Sequence, residues 1–442
     1  MTALSDIVTD LDRSAAGVRM HALAAELYPI CRSITGPGFR ETIARVGSRI
    51  PLQVTEVESG SAVFDWTVPP EWTVREAWVR GPDGRSIVDF RDHNLHLVGF
   101  SAPFRGVVSR AELDVHLHSL PSRPHAIPYR TTYYERTWGF CLRHADRERL
   151  PEGQYEVCVD TALEPGALVY AEHVHPGDGA GEILLSCHAC HPALANDNLS
   201  GIALVTELAA RLAGVRTRHT IRILLAPGTI GAIAWLARHP DASSRVRHGL
   251  VVACVGDRGP LHYKRTLAGR ATIDRACEHV LRASGAPFEV RDFDPYGYDE
   301  RQYNSPAFRL AVGSLTRTPH GRYPEYHTSD DDLSLLDPEA LGGSLAAYLE
   351  VLEVLDSDRR YVNTNPHGEP QLGRRGLYAA TGGLPDPGAA IRAMLWVLTL
   401  SDGAHSLLDV AERSGMPYRA ILSAARALEA SGLLVPAEIA AC

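Results

Sequence analysis

One stretch constrains this chain more than any other, and it reads Cys187-His188-Ala189-Cys190-His191-Pro192-Ala193-Leu194-Ala195-Asn196-Asp197-Asn198-Leu199-Ser200-Gly201. It follows an apolar, strand-like run at 182–186 and leads into an apolar, helical run at 202–212. Two imidazoles and one carboxylate therefore lie in the loop where a strand gives way to a helix, which is where ligands bind in open α/β sheets. Because imidazole and carboxylate are normal zinc ligands, the stretch predicts a metal site at the edge of a sheet.

Composition narrows the class of protein. A chain of 442 residues has room for two or three domains. With 45% hydrophobic and 22% charged residues it is typical of a globular protein. The formal net charge of -9 argues against nonspecific binding of nucleic acid by the whole chain. Residues 1–13 contain acids and no apolar signal-peptide core, and no run of about 18 apolar residues predicts a membrane span. We therefore expect a cytoplasmic protein whose eight cysteines are reduced thiols.

The order of patterns predicts three domains. Residues 1–55 are helical, and alternation of strands and helices follows from about 125 to 360, which we interpret as one α/β domain. The segment 56–124, with short alternating runs between Pro and Gly turns, is predicted as a small β domain inserted into it. After a linker rich in Pro and Gly, residues 365–442 contain three short helical patterns and a candidate wing strand. The phrase from Leu407 to Pro417 is typical of a helix-turn-helix.

The α/β domain is predicted to be a doubly wound, mostly parallel sheet that helices cover on both faces. The predicted strands are 155–159, 167–173, 183–186, 220–225, 250–255, 288–293 and 311–315. The predicted helices are 202–212, 231–238, 271–283 and 338–355.

The histidine pair of the first stretch has two interpretations. A lone histidine at a strand end is more often a core residue than a ligand. His188 and His191, followed by Asp197 between two small amides, instead favour a metal site. Cys187 and Cys190 form a CxxC pair, but because no second pair exists, we expect the two thiols to pack into the sheet.

Three further segments offer polar groups. Asp257 follows a predicted strand and is either a turn residue or a metal ligand. His327 lies in a polar turn before three acids, 330–332, which could also cap a helix. Arg301 and Arg317 are either surface ion pairs or a bidentate clamp for an anionic part of a substrate.

Together these segments resemble the zinc aminopeptidase-like proteins of the M28 peptidase clan. The resemblance is closest to a bacterial branch in which a small β domain interrupts the peptidase fold and a winged helix follows it. The matching motifs are 186–192, 195–201, 299–302, 312–315, 323–329 and 369–378. The resemblance implies a zinc-exopeptidase fold, the doubly wound mixed sheet of the phosphorylase/hydrolase type. It also implies that His188, Asp197 and His327 are metal ligands, with Asp257 as a less secure acidic ligand.

One departure from the clan concerns the catalytic base. Where this branch usually has Pro-Glu-Thr-Ile-Gly, the chain has Pro227-Gly228-Thr229-Ile230-Gly231. The glutamate that should take a proton from the metal-bound water is replaced by Gly228, and Thr229 stands in place of the second acid of a two-metal site. We therefore expect one zinc ion. A substitute base would come from Glu300, Glu325 or Asp330, with Glu300 and Asp330 assigned as the catalytic candidates.

Two functions remain open from the sequence. The first is a zinc-dependent amidohydrolase acting on a short peptide or an aminoacyl conjugate, in which Arg301, Arg317 and Tyr326 bind the substrate. The second is a non-hydrolytic, peptidase-derived binding or regulatory protein with the winged helix as its output domain. Residues 389–435 carry acids as well as arginines, so a protein partner or a homo-oligomer is expected there and nucleic acid is not.

Overall fold

The computed structural model describes residues 2–179, 181–378 and 387–437. The helices in these ranges are α1 (Leu4–Thr9), α2 (Arg13–Leu27), α3 (Pro37–Gly47), α4 (Arg110–Asp114), α5 (His144–Arg147), α6 (Ser200–Leu212), α7 (Ile230–Arg238), α8 (Ala242–Arg245), α9 (Thr272–Ala283), α10 (Glu300–Tyr303), α11 (Pro338–Ser357), α12 (Pro387–Leu400), α13 (Leu407–Ser414) and α14 (Tyr418–Ala430). The strands are β1 (Thr2–Ala3), β2 (Gln53–Glu58), β3 (Ala62–Val63), β4 (Trp66–Thr67), β5 (Glu71–Arg80), β6 (Ser86–Asp89), β7 (Phe104–Ser109), β8 (Leu117–His118), β9 (Phe140–Cys141), β10 (Gln154–Glu164), β11 (Ala167–His175), β12 (Glu182–His188), β13 (Val215–Arg216), β14 (Thr220–Ala226), β15 (Val246–Val252), β16 (Leu261–Lys264), β17 (Phe288–Arg291), β18 (Val312–Thr316), β19 (Arg360–Asn363), β20 (Asp402–Ser406) and β21 (Leu434–Pro436).

An eight-stranded mixed sheet forms the centre of the larger of two compact units, in the order β17-β16-β18-β15-β12-β14-β11-β2. The four central strands, β18, β15, β12 and β14, run parallel to one another. β16, β11 and β2 pair antiparallel with their neighbours toward the centre of the sheet. Every residue of β12 is buried, as expected for a strand that is covered on both faces. The predicted α/β fold class is therefore confirmed.

The small β domain predicted for 56–124 corresponds in the structure to a sheet with different bounds, within the same compact unit as the large sheet. Its four-stranded antiparallel sheet has the order β6-β5-β10-β7, so it takes in β10, which the sequence pattern assigned to the α/β domain. β10 pairs with β5 along most of its length and with β7 on its other edge. The prediction ended the insert at residue 124 because its last strand is distant in sequence from its partners. β2, close to the predicted start, belongs to the large sheet instead.

The smaller unit comprises residues 270–288 and 347–442. It contains a three-stranded sheet in the order β20-β19-β21 together with α12, α13 and α14. The predicted helix-turn-helix phrase becomes α13, a turn with Gly415 at a left-handed φ of 66°, and α14. β19 begins before residue 365, so the winged-helix sheet starts earlier than predicted, and part of the predicted linker lies outside the described residues.

No helix in the described ranges is long and apolar enough to cross a bilayer. The cysteines from Cys31 to Cys277 are free thiols, and Cys187 and Cys190 are buried, as the sequence predicts.

Candidate metal centre

The site forms where the parallel strands of the large sheet end. His188 is the last residue of β12, which pairs in parallel with β14 on one side and β15 on the other. The loop from residue 189 to 199 then leads into α6. The carboxyl ends of parallel strands meet at one edge of a sheet, so the loops that follow them converge there.

The two asparagines beside Asp197 tie its loop to this edge. The Asn198 Nδ2 donates to the carbonyls of His188 (3.1 Å) and Val252 (2.9 Å), and its Oδ1 accepts from the amide of Gly201 (3.1 Å). Asn196 donates through Nδ2 to the Asp257 carboxylate at 3.0 Å. Both amide side chains are therefore consumed in holding the loop, which leaves Asp197 as the residue that points toward the histidines.

Three histidines surround the carboxylate of Asp197. The Nε2 of His188 lies 2.8 Å from Oδ1, and the Nε2 of His327 lies 3.0 Å from Oδ2. The Nδ1 of His191 is 3.9 Å from the same Oδ2. Ligand atoms of His188, His191 and Asp197 all lie within 4.8 Å of one another, which is close enough to share one ion. The structure thus brings together the three residues expected as ligands and adds His191, which the motif contains but which we had not assigned as a ligand.

The position of His327 depends on a strained turn. Its φ is 56°, in the left-handed region that non-glycine residues rarely adopt. The amide of Tyr129 donates to its carbonyl at 2.8 Å, and the ring of Tyr326 stacks on its imidazole with centroids 3.9 Å apart. A backbone held in this unusual conformation is consistent with a turn that serves to place one side chain.

The electrostatics of the cluster favour a cation. Burial alone would raise the pKa of the Asp197 carboxyl, but the imidazoles of His191, His188 and His327 hold it well below its usual value. Burial lowers the pKa of His191 to about 3, so this imidazole is neutral, and its Nδ1 is buried without a hydrogen-bond partner in the described part of the chain. The ionised carboxylate of Asp197 beside the neutral imidazole of His191 is a donor set that fits zinc.

Asp257 is not part of this cluster. Its Oδ1 accepts hydrogen bonds from the hydroxyl of Thr318 (2.6 Å) and the amide of Gly259 (2.7 Å). Its Oδ2 accepts from Asn196 (3.0 Å) and from the amide of Thr318 (3.1 Å). Both oxygens therefore serve to fasten loops, which corresponds to the turn role that the sequence left open.

A second buried acid lies closer to the ligands than the sequence indicated. Asp331 accepts hydrogen bonds from the amides of Asn196 (2.6 Å) and Asp197 (3.1 Å), and burial raises its pKa to about 8. It belongs to the three-acid run that we had considered as a helix cap. These contacts show that Asp331 holds the backbone of the loop that carries Asp197.

The residues expected in catalysis and substrate binding take varied positions. Glu300 is fully buried and forms an ion pair with Lys264, and Asp330 forms one with Arg123. The guanidinium of Arg317 donates hydrogen bonds to the carbonyls of Ala340 and Gly259 and to the hydroxyl of Ser344. The guanidinium therefore stabilises the fold. This role differs from both sequence interpretations, which were a surface ion pair and a clamp for an anionic substrate. Arg301 is half-buried beside Asp299, and Tyr326 lies against His327 as described above.

The two side chains nearest the place of the missing glutamate both feel the charge of another buried carboxylate, Asp299. A Cβ at Gly228 would lie 3.3 Å from the Cβ of His188 and 3.9 Å from the Sγ of Cys190. The charge of Asp299 acts on these same two side chains. Asp299 is 4% exposed, no hydrogen bond reaches its carboxylate from the described residues, and burial raises its pKa to about 6. The sequence offered Asp299 only as part of a motif, because nothing local shows that its loop folds back to His188.

Comparisons with known proteins define the class to which this fold belongs. A zinc aminopeptidase from Bacillus subtilis is 13% identical and superimposes with a TM-score of 0.58 over 78% of this chain and 95% of its own. An M28 peptidase precursor from Shewanella amazonensis, also 13% identical, gives 0.55 over 80% and 96%. The chain therefore has the zinc-aminopeptidase fold of the M28 clan.

Closer relatives give the family. A family model described as a domain of unknown function, DUF4910, matches residues 21–358, and a winged helix-turn-helix model matches 359–436. The chain belongs to this DUF4910 family of aminopeptidase-like proteins with a C-terminal winged helix. A Clostridium acetobutylicum protein is 46% identical over 415 residues, 94% of this chain and 95% of its own length. Its description is provisional: a polysaccharide biosynthesis protein with an aminopeptidase-like domain. A crystal structure from the same organism, provisionally assigned as a peptidase, is 43% identical with a TM-score of 0.93 and covers 98% of this chain and 100% of its own.

Proposed function

We propose that the protein is a zinc-dependent amidohydrolase that cleaves an amide of a small aminoacyl or acyl conjugate. The observation that carries this proposal is the cluster around Asp197, in which two imidazole nitrogens lie within 3.0 Å of one buried carboxylate. The M28 aminopeptidase fold supports it.

His188, Asp197 and His327 are the proposed ligands of one zinc ion, with His191 close enough to complete the set. Zinc, when bound, lowers the pKa of its water toward about 7 and polarises a carbonyl oxygen. The buried imidazoles and the two tyrosines that stack on them, Tyr298 on His188 and Tyr326 on His327, exclude bulk solvent from one side of the site.

Asp299 is our proposed proton acceptor in place of the absent glutamate. Glu300 and Asp330, the candidates from the sequence, are each neutralised by a basic partner, Lys264 and Arg123. Asp299 forms no such ion pair with any of the described residues, and its raised pKa brings the carboxyl closer to neutral pH, where a base takes and releases protons efficiently. Its carboxylate would accept a proton during attack and return it to the leaving amine.

The first test measures zinc content and hydrolysis together. We expect about one zinc per chain in protein that has been supplemented with zinc, and loss of zinc in His188→Ala. The substrate panel should contain aminoacyl p-nitroanilides and, because the Clostridium relative is described as a polysaccharide biosynthesis protein, N-acyl amino sugars. Wild-type protein that takes up no zinc would contradict the proposal.

Gly228 favours a second function, a non-hydrolytic binding or regulatory protein. In this alternative the winged helix would act as an output domain for a protein partner. The variant Gly228→Glu restores an acid to the turn after β14. Hydrolysis that appears only in this variant favours the alternative, whereas hydrolysis already present in the wild type favours the amidohydrolase.

A further inference from the structure

A second concave site lies beside the metal ligands. It is a cavity of about 140 Å³ at the side of β16 and β18. Tyr298 and His320 line it, and the Tyr298 ring stacks on His188 with centroids 5.4 Å apart. The centroids of His320 and Tyr298 are 5.1 Å apart. A molecule in this cavity would therefore be one aromatic ring away from a proposed zinc ligand.

Tyr296 lines the cavity as an exposed ring on a fixed backbone. The residue is 75% exposed, which is unusual for so large a ring. Its amide donates to the Oδ1 of Asp294 at 2.7 Å, and its carbonyl accepts from the Nζ of Lys264 at 3.1 Å. Because both backbone groups are held, the ring offers a flat apolar face at a small entropy cost to a ligand that stacks on it.

The charged groups of the cavity balance one another. Lys264 is paired with Glu300, and Arg291 faces Glu289 with its Nε 3.8 Å from the nearer oxygen. The Oδ2 of Asp294 accepts no hydrogen bond from the described residues. The cavity thus presents a guanidinium donor and a carboxylate acceptor together, with no large excess of either charge.

His320 adds a polar atom that lacks a partner. Its Nδ1 is buried and makes no hydrogen bond within residues 2–179, 181–378 and 387–437. Burial lowers the pKa of this histidine, so the imidazole is neutral and can either donate or accept at that nitrogen. A buried polar atom without a partner is uncommon and is satisfied when a ligand or a water supplies the bond.

We propose that this cavity binds an uncharged sugar ring of the substrate. Sugar hydroxyls both donate and accept, so they match Arg291, Asp294 and His320, and the apolar face of the ring stacks on Tyr296. A purely anionic ligand offers no donor to the Asp294 carboxylate, and a purely apolar ligand would leave all three polar groups unpaired. The assignment of this sugar to the hydrolysed substrate rests on the proposed function; the binding does not.

Saturation-transfer NMR on the full-length, zinc-free protein tests the binding directly. The probes are N-acetylglucosamine and glucose, with glutarate as a small dianion. We expect saturation transfer to the ring protons of at least one sugar and about a fivefold weaker affinity in Tyr296→Ala. The matched control is Tyr134→Ala, because Tyr134 is also an exposed tyrosine (54%) but does not line the cavity. This control should bind like the wild type.

A second variant separates loss of the site from loss of the fold. Asp294→Asn keeps the size of the side chain and should weaken sugar binding while the thermal unfolding curve stays close to wild type. Transfer to glutarate but to neither sugar would overturn the proposal, and so would sugar binding that Tyr296→Ala leaves unchanged. Because no zinc is present, failure of sugar binding and failure of hydrolysis are separate results.

Discussion

Two neighbouring parallel strands, β12 and β14, differ in the side chains that follow their carboxyl ends. β12 and β14 run parallel with His188 opposite Ala226. From His188 to α6 the chain supplies two imidazoles and a buried carboxylate. Beyond Ala226 it supplies Pro227 and Gly228 and no titratable side chain before α7. Under our proposal, the comparison teaches that ion binding and proton transfer are supplied by separate loops. One can therefore change while the other stays.

The largest effect on zinc affinity should come from the loop after β12, which carries Asp197. Replacing Asp197 by Ala removes the carboxylate that lies between three imidazoles, so we expect zinc affinity to fall by more than about 100-fold. Metal analysis after dialysis against a chelator measures this. Gly228→Ala, in the turn after β14, is the control and should retain wild-type zinc content. Equal zinc content in both variants would remove the distinction between the two strand ends.

The next largest effect tests whether Asp299 takes over the role of the glutamate that is absent at Gly228. If Asp299 supplies the base, Asp299→Asn should lower kcat by about 10²–10⁴-fold and leave zinc content unchanged. Asp330→Asn is the matched control, because its half-buried carboxylate is already paired with Arg123. The double variant Gly228→Glu with Asp299→Asn should recover part of the lost rate. A wild-type kcat in Asp299→Asn would refute the assignment.

A pH profile sharpens the same point. Burial raises the pKa of the Asp299 carboxyl to about 6, and a base must be unprotonated to act. The rate should therefore be constant above that pH and fall about tenfold per unit as the pH drops below it. In Asp299→Asn this acidic limb should disappear. An acidic limb of the same midpoint in the variant would point to another group.

The smallest effect concerns the space beside His188. The Cβ added by Gly228→Ala lies 3.3 Å from the Cβ of His188, so the neighbours must shift by only a few tenths of an ångström. We expect the free energy of unfolding to change by about 1 kcal/mol or less, measured by urea denaturation. A loss of several kcal/mol would show that the turn requires glycine for packing.

The sequence alone predicted the part of the site whose residues are close together in the chain. His188 and Asp197 are close in the chain between a strand and a helix, and the pattern of strands predicts the edge at which they lie. His327 is 130 residues from Asp197, and only the resemblance to a known clan placed it beside the other ligands.

Pairings that depend on tertiary structure were beyond the sequence. β10 joins the inserted sheet through partners far away in the chain, so its pattern fitted the α/β domain equally well. The donors of Arg317 go to backbone carbonyls, which no residue type predicts. Asp299 stands among charged neighbours in the sequence, and both it and Glu300 are buried. What distinguishes the two acids is the ion pair that Glu300 forms with Lys264, which the sequence does not reveal.

The central claim is that one cation lies among His188, Asp197 and His327. Anomalous diffraction at the zinc edge from crystals of zinc-supplemented protein tests it most directly. We predict a single strong peak about 2.0–2.2 Å from an imidazole nitrogen of each histidine and from an oxygen of Asp197. A crystal with these side chains ordered and no peak among them, or with its only peak elsewhere, would contradict the account.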